Sequence, residues 1–386
     1  MLKRIKIAQP VIDDKEIKSL IAVAKSGWLT NGPKTIEFEK NVNKVIGSKN
    51  AIAVNSCTNG IIATMHALGL KRGDEIITTP LTFVSVIHSL YNFGLKIKLV
   101  DINYKNLSID LETIRNNVSK KTKCILITHY GGIPVQVQNI ISFCKKKKIH
   151  VIEDAATAFG AKINNKHVGS YNNSIAIFSF YANKVITTGE GGVITLNNQK
   201  LAKKIRSLIS CGISKDPWHR NTSKRMWFYK VLNYGFKFNF TDLQASIGIE
   251  QLKKLKKIQN YRGRLRLAYN SELKELISKD IINIRQPEKN KFYSEYIYTI
   301  ILNEKKIIFN RDDLINHLKK NNIDTTVHYI PANKHDFYKK TFKKFKLPNS
   351  DYVFKNIISL PFHNGLTFKD IIYVSKIIKN FIGNGK

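Results

Sequence analysis

Apolar runs of four to seven residues alternate with longer amphipathic stretches over the first two hundred residues of the chain. The apolar runs are typical of buried strands, and most of the intervening stretches repeat apolar positions at helical spacing. Strands are predicted at residues 51–54, 75–79, 97–100, 124–128, 150–153, 174–180 and 193–196, and helices at 13–25, 35–46, 59–70, 82–93, 111–117, 137–147 and 201–209. This alternation predicts an α/β fold with a mainly parallel seven-stranded sheet and helices on both of its faces.

The remainder of the chain has a different pattern. Thr241, followed by Gln244 three residues later, is typical of a capping box, and it predicts a helix to about residue 277 with a possible break near Gly263. A strand at 296–302 and helices at 311–321 and 368–381 follow a polar and aromatic insertion at 211–234 and that long helix. We expect a large α/β domain at residues 1–250 and a smaller α+β domain at residues 251–386.

The formal net charge of +36 admits two interpretations. One is a nucleic-acid or anionic-membrane partner. The other is lysine placed on solvated helix faces, which is favoured because the lysines at 145–148 and 253–257 lie between apolar positions at helical spacing. Either way, the excess of positive charge can attract a negatively charged small substrate.

Other bulk features point to a protein of the cytoplasm. No secretory leader is predicted, and no apolar run approaches the ~20 residues of a membrane span, so no membrane insertion is expected. The four cysteines contain no Cys-x-x-Cys pair, and we interpret them as reduced thiols. No cluster with metal-ligand spacing is present in the sequence, so no metal is expected.

The first candidates for chemistry are Ser179 and Lys184, which stand where a predicted strand gives way to a loop. In open α/β sheets, ligands bind at the carboxyl ends of strands. A lysine amine is mostly protonated at neutral pH, but one that is buried beside a cofactor can lose its proton and condense with an aldehyde. The simpler interpretation is a solvated side chain, since the chain has 64 Lys and Arg residues.

Asp154 also lies just past a predicted buried strand, about thirty residues before Lys184. A pyridine-type cofactor withdraws electrons only while its ring nitrogen is protonated, and a buried carboxylate keeps the proton there. The alternative is that Asp154 caps a following helix, because Asp is a preferred N-cap residue.

Three further segments carry candidate residues. Ser56, Cys57 and Thr58 open a predicted helix, whose free N–H groups suit a phosphate, although Ser56 or Thr58 can simply cap that helix. Phe83 can stack on a flat ring or belong to the core. The glycines at 189–192 either let the backbone approach the site or form a turn.

Taken together, these segments resemble the DegT/DnrJ/EryC1/StrS family of sugar aminotransferases, which depend on pyridoxal 5′-phosphate and have the aspartate aminotransferase (type I) fold. The resemblance covers nearly the whole chain. Its motifs occur in family order at residues 26–33, 55–58, 73–83, 129–132, 153–156, 179–184, 189–192, 235–248, 328–331 and 359–361.

The resemblance implies roles for individual residues. Lys184 would hold the cofactor covalently and move the proton, and Asp154 would hold the protonated ring nitrogen. Other cofactor contacts are implied for Ser179, Cys57 and Thr58 at the phosphate, for Phe83 and Thr157 at the ring, and for Lys237 and Asn239 at the phosphate of a neighbouring subunit. The last pair implies an obligate homodimer with shared active sites. Substrate contacts are implied for Trp28, Leu29, Thr30, His328 and Tyr329.

The chain departs from the family pattern in three places. Cys57 stands where many relatives have glycine, and Thr157 where many have Gln or His beside the ring hydroxyl of the cofactor, so the Thr157 contact is in doubt. Gln136 and Val137 replace a common stretch without an expected chemical effect. Some family members are dehydratases with histidine at the lysine position, and Lys184 argues against that branch.

The expected reaction is the transfer of an amino group from L-glutamate to a keto carbon, C4, of a nucleotide-linked 6-deoxyhexose, for surface polysaccharide biosynthesis. A regulatory family member that binds cofactor or sugar without catalysis is the alternative, and a nucleic-acid binder is a third hypothesis that rests on charge alone. Residues 183–192 resemble members that use GDP sugars, whereas residues 211–218 and 237–239 resemble members that use UDP sugars, so the nucleotide stays open.

Overall fold

The large sheet of this computed structural model, which describes residues 4–214, 218, 221 and 227–384, contains all seven predicted strands. They are β1 (Asn50–Val54), β2 (Glu75–Thr78), β3 (Lys96–Leu99), β4 (Thr122–Thr128), β5 (His150–Asp154), β6 (Ile175–Ser179) and β7 (Gly192–Leu196). Their order is β1-β7-β6-β5-β4-β2-β3, and only β7 runs antiparallel to its neighbours. The prediction of a mainly parallel seven-stranded sheet is confirmed.

Helices cover both faces of this sheet. In the first part of the chain they are α1 (Asp14–Ser26), α2 (Pro33–Ile46), α3 (Cys57–Leu68), α4 (Val84–Phe93), α5 (Leu111–Asn117), α6 (Val137–Lys146) and α7 (Gln199–Ile209). Successive residues of a strand point to opposite faces of the sheet. In β1, Ala53 packs in the core with α2, whereas Ile52 and Val54 pack in the core with α3 and α7. Because both faces are buried, most of these strands have mainly apolar runs. The exception is β3 at the edge of the sheet, where lysine alternates with apolar residues and the strand is partly exposed.

A long helix, α8 (Asp242–Glu272), joins this core to a second one. Its first half contributes Ala245 and Leu252 to the core under the large sheet, and its second half contributes Leu265 and Tyr269 to the other core. The predicted capping box is present, because the Thr241 hydroxyl accepts from the N–H of Gln244 at 3.2 Å. The predicted domain boundary, between residues 250 and 251, lies within α8, and the division into domains stays a prediction.

The predicted break near Gly263 is wrong. Glycine in a helix interior costs about 1 kcal/mol relative to alanine, but the neighbouring Arg262 and Leu265 are buried and their packing holds the helix together. The interruption comes later, at Leu273, before a short helix α9 (Lys274–Ser278).

The second core belongs to a smaller α+β unit, as predicted. Its antiparallel sheet consists of β8 (Ile282–Ile284), β9 (Tyr298–Leu302) and β10 (Ile357–Leu360), in the order β8-β9-β10. Its helices are α10 (Arg311–Lys320), α11 (Asp336–Phe342), α12 (Pro348–Asn356) and α13 (Phe368–Asn384). Three two-residue strands, at Lys162–Ile163, Lys166–His167 and Lys291–Phe292, form a separate small sheet.

Residues 215–217, 219–220 and 222–226 of the predicted insertion at 211–234 lie outside the described residues. Among the helices that the structure does describe, none combines the length and the apolar character needed to cross a membrane.

Candidate active site

A cavity of about 550 Å³ opens at the edge of the large sheet where the parallel strands end. Thr128, Asp154 and Ser179 are the last residues of β4, β5 and β6, and all three line it. The first residues of α3, which follows β1, line it as well. This is the place at which a parallel sheet commonly binds its ligand.

Lys184 reaches this cavity from a loop that leaves β6 and returns to its end. The N–H of Thr188 donates to the carbonyl of Phe180 at 2.9 Å, and the N–H of Lys184 donates to the carbonyl of Tyr181 at 3.0 Å. These bonds fold the loop back beside the strand end. The Lys184 amine therefore lines the same cavity as the Asp154 carboxylate.

Asp154 is 4% exposed, and three donors surround its carboxylate. The hydroxyls of Thr82 and Thr128 donate to Oδ2 at 3.2 and 3.4 Å, and the N–H of Ala156 donates to Oδ1 at 3.1 Å. Burial raises the pKa of Asp154 above its ordinary value, while these bonds and the charge of Lys184 oppose that shift. The alternative role as a helix cap is wrong, because Asp154 is followed by turns and not by a helix.

The start of α3 faces the cavity from another side. Ser56 caps the helix, since its hydroxyl accepts from the N–H of Asn59 at 3.1 Å, so capping was the right interpretation for this residue. Cys57 and Thr58 line the cavity. Gly192 allows the close approach, because a Cβ there would lie 2.7 Å from the nitrogen of Cys57 and 2.9 Å from the carbonyl oxygen of Phe178.

The Cys57 thiol stays close to the protein backbone, with Sγ 3.7 Å from the carbonyl oxygen of Ile177. Burial raises the pKa of the Cys57 thiol well above its ordinary value, and the negative charge of Asp154 adds to the shift. The thiol is therefore protonated at neutral pH and is a poor nucleophile.

Thr157 lines the cavity, but its hydroxyl is engaged with the backbone. It donates its proton to the carbonyl of His129 at 2.8 Å and accepts from the N–H of Gly132 at 3.2 Å. A hydroxyl has a single proton, so Thr157 in this arrangement has none to give to a bound ligand. The residue ties the ends of β4 and β5 together.

The rim of the cavity is more open. Phe83 is 57% exposed, so the alternative that it belongs to the core is wrong, and its ring packs edge-on against Tyr329 at 5.9 Å. His328 bonds through Nδ1 to the hydroxyl of Ser359 at 2.7 Å. Burial, with a smaller effect from the charge of Lys184, lowers the pKa of His328 to about 4, so its ring is neutral at physiological pH.

Five of the predicted site residues lie outside the lining of this cavity. Trp28, Leu29 and Thr30 lie on the loop before α2, where the Trp28 indole donates to the carbonyl of Asn31 at 3.1 Å. Lys237 is exposed, and Asn239 has a buried Oδ1 without a hydrogen-bond partner in the described part of the chain. Within a single chain, these residues do not join Lys184.

Three lining residues whose side chains contact Asp154 or Lys184 were missed in the sequence. Thr82 and Thr128 donate to Asp154, and Tyr296 lies against Lys184. Thr128 ends a predicted strand and Thr82 begins the predicted helix at 82–93, so their positions were a usable signal. Tyr296 comes from a distant part of the chain, and no local spacing relates it to Lys184.

Comparisons of sequence and fold with known proteins identify the family of this chain. The sequence model of the DegT/DnrJ/EryC1/StrS aminotransferase family matches residues 10–379. The chain is 39% identical over 380 residues to the uncharacterized protein MJ1066 of Methanocaldococcus jannaschii, covering 98% of this chain and 97% of that protein. It is 34% identical over 376 residues to the spore coat polysaccharide biosynthesis protein SpsC of Bacillus subtilis, covering 97% and 96%.

Among solved structures, Helicobacter pylori PseC, an aminotransferase involved in the biosynthesis of pseudoaminic acid, superposes with a TM-score of 0.91 at 26% identity. The match covers 99% of this chain and 100% of that chain. The predicted type I fold and the predicted cofactor are thereby confirmed. The chain belongs to the DegT/DnrJ/EryC1/StrS aminotransferase family and is a pyridoxal 5′-phosphate-dependent sugar aminotransferase.

Proposed function

We propose that this enzyme moves an amino group from L-glutamate to the C4 keto carbon of a nucleotide-linked 6-deoxyhexose. The observation that carries the proposal is that the Lys184 amine and the buried Asp154 carboxylate line one cavity at the end of the sheet. The names of two similar proteins support the substrate class, since SpsC is named for spore coat polysaccharide biosynthesis and PseC for the biosynthesis of pseudoaminic acid. The product would enter a surface polysaccharide.

The lining residues fit pyridoxal phosphate. Burial disfavours the Asp154 carboxylate, and a protonated ring nitrogen beside it would offset that penalty. The helix start at Cys57 and Thr58 offers backbone N–H groups for the phosphate, and Gly192 keeps this cradle free of a Cβ. Ser179, at the end of β6, would add its hydroxyl to the phosphate, and Phe83 would cover one face of the ring.

When bound, the cofactor supplies an electron sink for the bonds at the carbon that carries the amino group. Lys184 would hold the cofactor until the amino donor arrives, and its freed amine would take a proton from the donor carbon and return it to the cofactor carbon. A well-placed base of this kind accelerates proton transfer by about 10²–10⁴-fold. Asp154 would keep the proton on the ring nitrogen, and Thr82 and Thr128 would orient its carboxylate.

Substrate would enter over the rim. Phe83, Tyr329 and His328 line that side of the cavity, and the depressed pKa of His328 leaves a neutral ring that can hydrogen-bond to sugar hydroxyls. A nucleotide sugar is an anion, and the net charge of +36 would favour its approach.

A second copy of the chain would complete the site. A phosphate dianion and the carboxylates of glutamate call for cations, and Lys184 is the one Lys or Arg among the described residues that line the cavity. The exposed Lys237, with Asn239 nearby, would supply the phosphate contact to a neighbouring subunit, while the loop with Trp28, Leu29 and Thr30 would approach the sugar. We therefore propose a homodimer with shared sites, acting in the cytoplasm, where its unpaired cysteines remain reduced.

The test is to incubate the cofactor-loaded enzyme with glutamate and the UDP-, GDP- and dTDP-linked 4-keto-6-deoxyhexoses. We expect 2-oxoglutarate and one 4-amino sugar in equal amounts, and stronger thermal stabilisation by the matching free nucleotide than by the other two. Failure to aminate any of the three sugars, in enzyme that carries cofactor, would contradict the proposal.

A further inference from the structure

Tyr296 makes the most direct contact with the Lys184 amine. The Lys184 Nζ lies 4.5 Å from the centroid of the Tyr296 ring and 3.4 Å from its hydroxyl oxygen. The Tyr296 hydroxyl in turn donates to Oδ1 of Asn183 at 3.4 Å. An ammonium group within about 6 Å of an aromatic ring face is attracted by the quadrupole of the ring.

The tyrosine is held firmly in place. Tyr296 is 4% exposed, and the buried guanidinium of Arg262, on α8, donates to the carbonyls of Glu295 and Tyr296 at 3.3 and 3.4 Å. The Glu295 carboxylate pairs with Arg266 on the same helix at 2.9 Å. The long helix therefore sets the position of the ring against which Lys184 lies.

The amine has few other charged neighbours. The titratable side chains that share the cavity with Lys184 are Asp154, Cys57, Glu190, His328, Tyr130, Tyr181, Tyr296 and Tyr329. His328 and Cys57 are neutral at physiological pH, because burial lowers the pKa of the first and raises that of the second. The charge of Asp154 is engaged by three hydrogen bonds.

We propose that Tyr296 is a positioning residue that keeps the Lys184 amine at the reacting carbon during proton transfer. The inference rests on the proposed role of Lys184 as the proton carrier. When Lys184 takes a proton from the carbon of the amino donor it becomes an ammonium, and the ring face stabilises this charged form. The Tyr296 hydroxyl, by its hydrogen bond, keeps the Lys184 amine in one orientation until the same proton passes to the cofactor carbon.

Two substitutions of similar shape separate the effect of the ring quadrupole from the effect of ring packing. Tyr296→Phe keeps the ring and removes the hydroxyl, whereas pentafluorophenylalanine at position 296 keeps the shape of Phe and reverses the quadrupole. Covalent incorporation of pyridoxal phosphate into apoprotein requires an uncharged lysine amine. The rate of this incorporation can be followed by absorbance from pH 6 to pH 10 with no amino donor present. Its dependence on pH reports how strongly the ring stabilises the ammonium form of Lys184.

We expect the midpoint of this pH–rate profile to lie about half a unit to one unit lower in the pentafluorophenylalanine protein than in Tyr296→Phe. In single turnovers with glutamate, both variants should react more slowly than the wild type. The maximal rate should change more than the glutamate concentration that gives half of that rate. The same two substitutions at Tyr130, which lines the cavity and bonds to the His328 carbonyl, should leave the incorporation midpoint unchanged.

Equal midpoints for the two position-296 proteins would overturn the proposal. If the wild type did not react with glutamate at all, the proposed function would fail, but the incorporation profiles would still decide whether Tyr296 acts on Lys184. The Phe variant preserves the packing of the ring, so the comparison remains possible even where larger changes would prevent folding.

Discussion

The cavity floor and the exposed segment around Lys237 differ in how complete they are within one chain. The floor brings together Lys184, Asp154 and the start of α3, all buried or partly buried at the ends of neighbouring strands. Lys237 is exposed, the buried Oδ1 of Asn239 has no hydrogen-bond partner among the residues that the structure describes, and neither residue lines the cavity of its own chain. The groups proposed for the covalent chemistry thus meet within one chain, whereas anion binding would depend on a second copy.

The two regions also differ in what stabilises their geometry. The floor is stabilised by the large core, so its geometry is set by folding alone. The segment at 235–241 would acquire its function only by association, which makes cofactor affinity depend on protein concentration.

The largest effect is expected on the floor. Lys184→Ala would remove the proposed attachment point of the cofactor and the proposed proton carrier, so amino transfer should fall by about 10²–10⁴-fold or more. Borohydride treatment should leave cofactor mass on the Lys184 peptide of the wild type and none on the variant, as measured by mass spectrometry. A colourless Lys184→Ala protein with full activity would rule out the assigned chemistry.

A smaller loss is expected for Asp154→Asn, which keeps the shape of the side chain and removes its charge. A charge-assisted hydrogen bond contributes ~1.5–3 kcal/mol, so the rate of the half-reaction with glutamate should fall about 10–100-fold. Stopped-flow absorbance measures that rate. Thr128→Val, which removes one hydroxyl donor to the carboxylate and leaves the charge, is the matched control and should lose less.

Lys237→Ala tests the second region. Loss of a charged phosphate contact should weaken cofactor binding about tenfold while the rate at saturating cofactor changes little. Lys184→Ala and Lys237→Ala proteins are then mixed in equal amounts at limiting cofactor. In each hybrid dimer one of the two sites has both lysines, so about one quarter of all sites should be restored if subunits exchange freely. Mixtures no better than the average of the two parents, despite demonstrated exchange, would argue against shared sites.

The smallest effect concerns Cys57 and depends on pH. Burial raises the pKa of the Cys57 thiol, so it stays protonated at pH 8, where iodoacetamide requires a thiolate. In protein without added cofactor, Cys211, which is exposed, should be alkylated first, and Cys57 should remain unmodified. Peptide mass spectrometry measures both sites in one sample, and equal labelling would show that the cavity does not hold the thiol in its neutral form.

Much of the fold could be predicted because its signals are local. Apart from β3, which lies at the edge of the sheet and is partly exposed, the strands of the large sheet are short, mostly buried apolar runs, and such runs remain visible in the sequence. The capping box at Thr241 and Gln244 depends on two residues three positions apart. For the same reason, the positions of Asp154, Ser179 and Lys184 at the ends of strands could be located without coordinates.

Contacts between distant segments were decided only by the tertiary structure. The Lys184–Tyr296 contact joins residues 112 positions apart, and no periodicity links them. The helix through Gly263 persists because its two halves pack into two cores, which outweighs the local preference of glycine. The sequence by itself therefore determined the strands and their chemically active ends, whereas packing decided which side chain faces the lysine and which predicted residues lie outside the cavity.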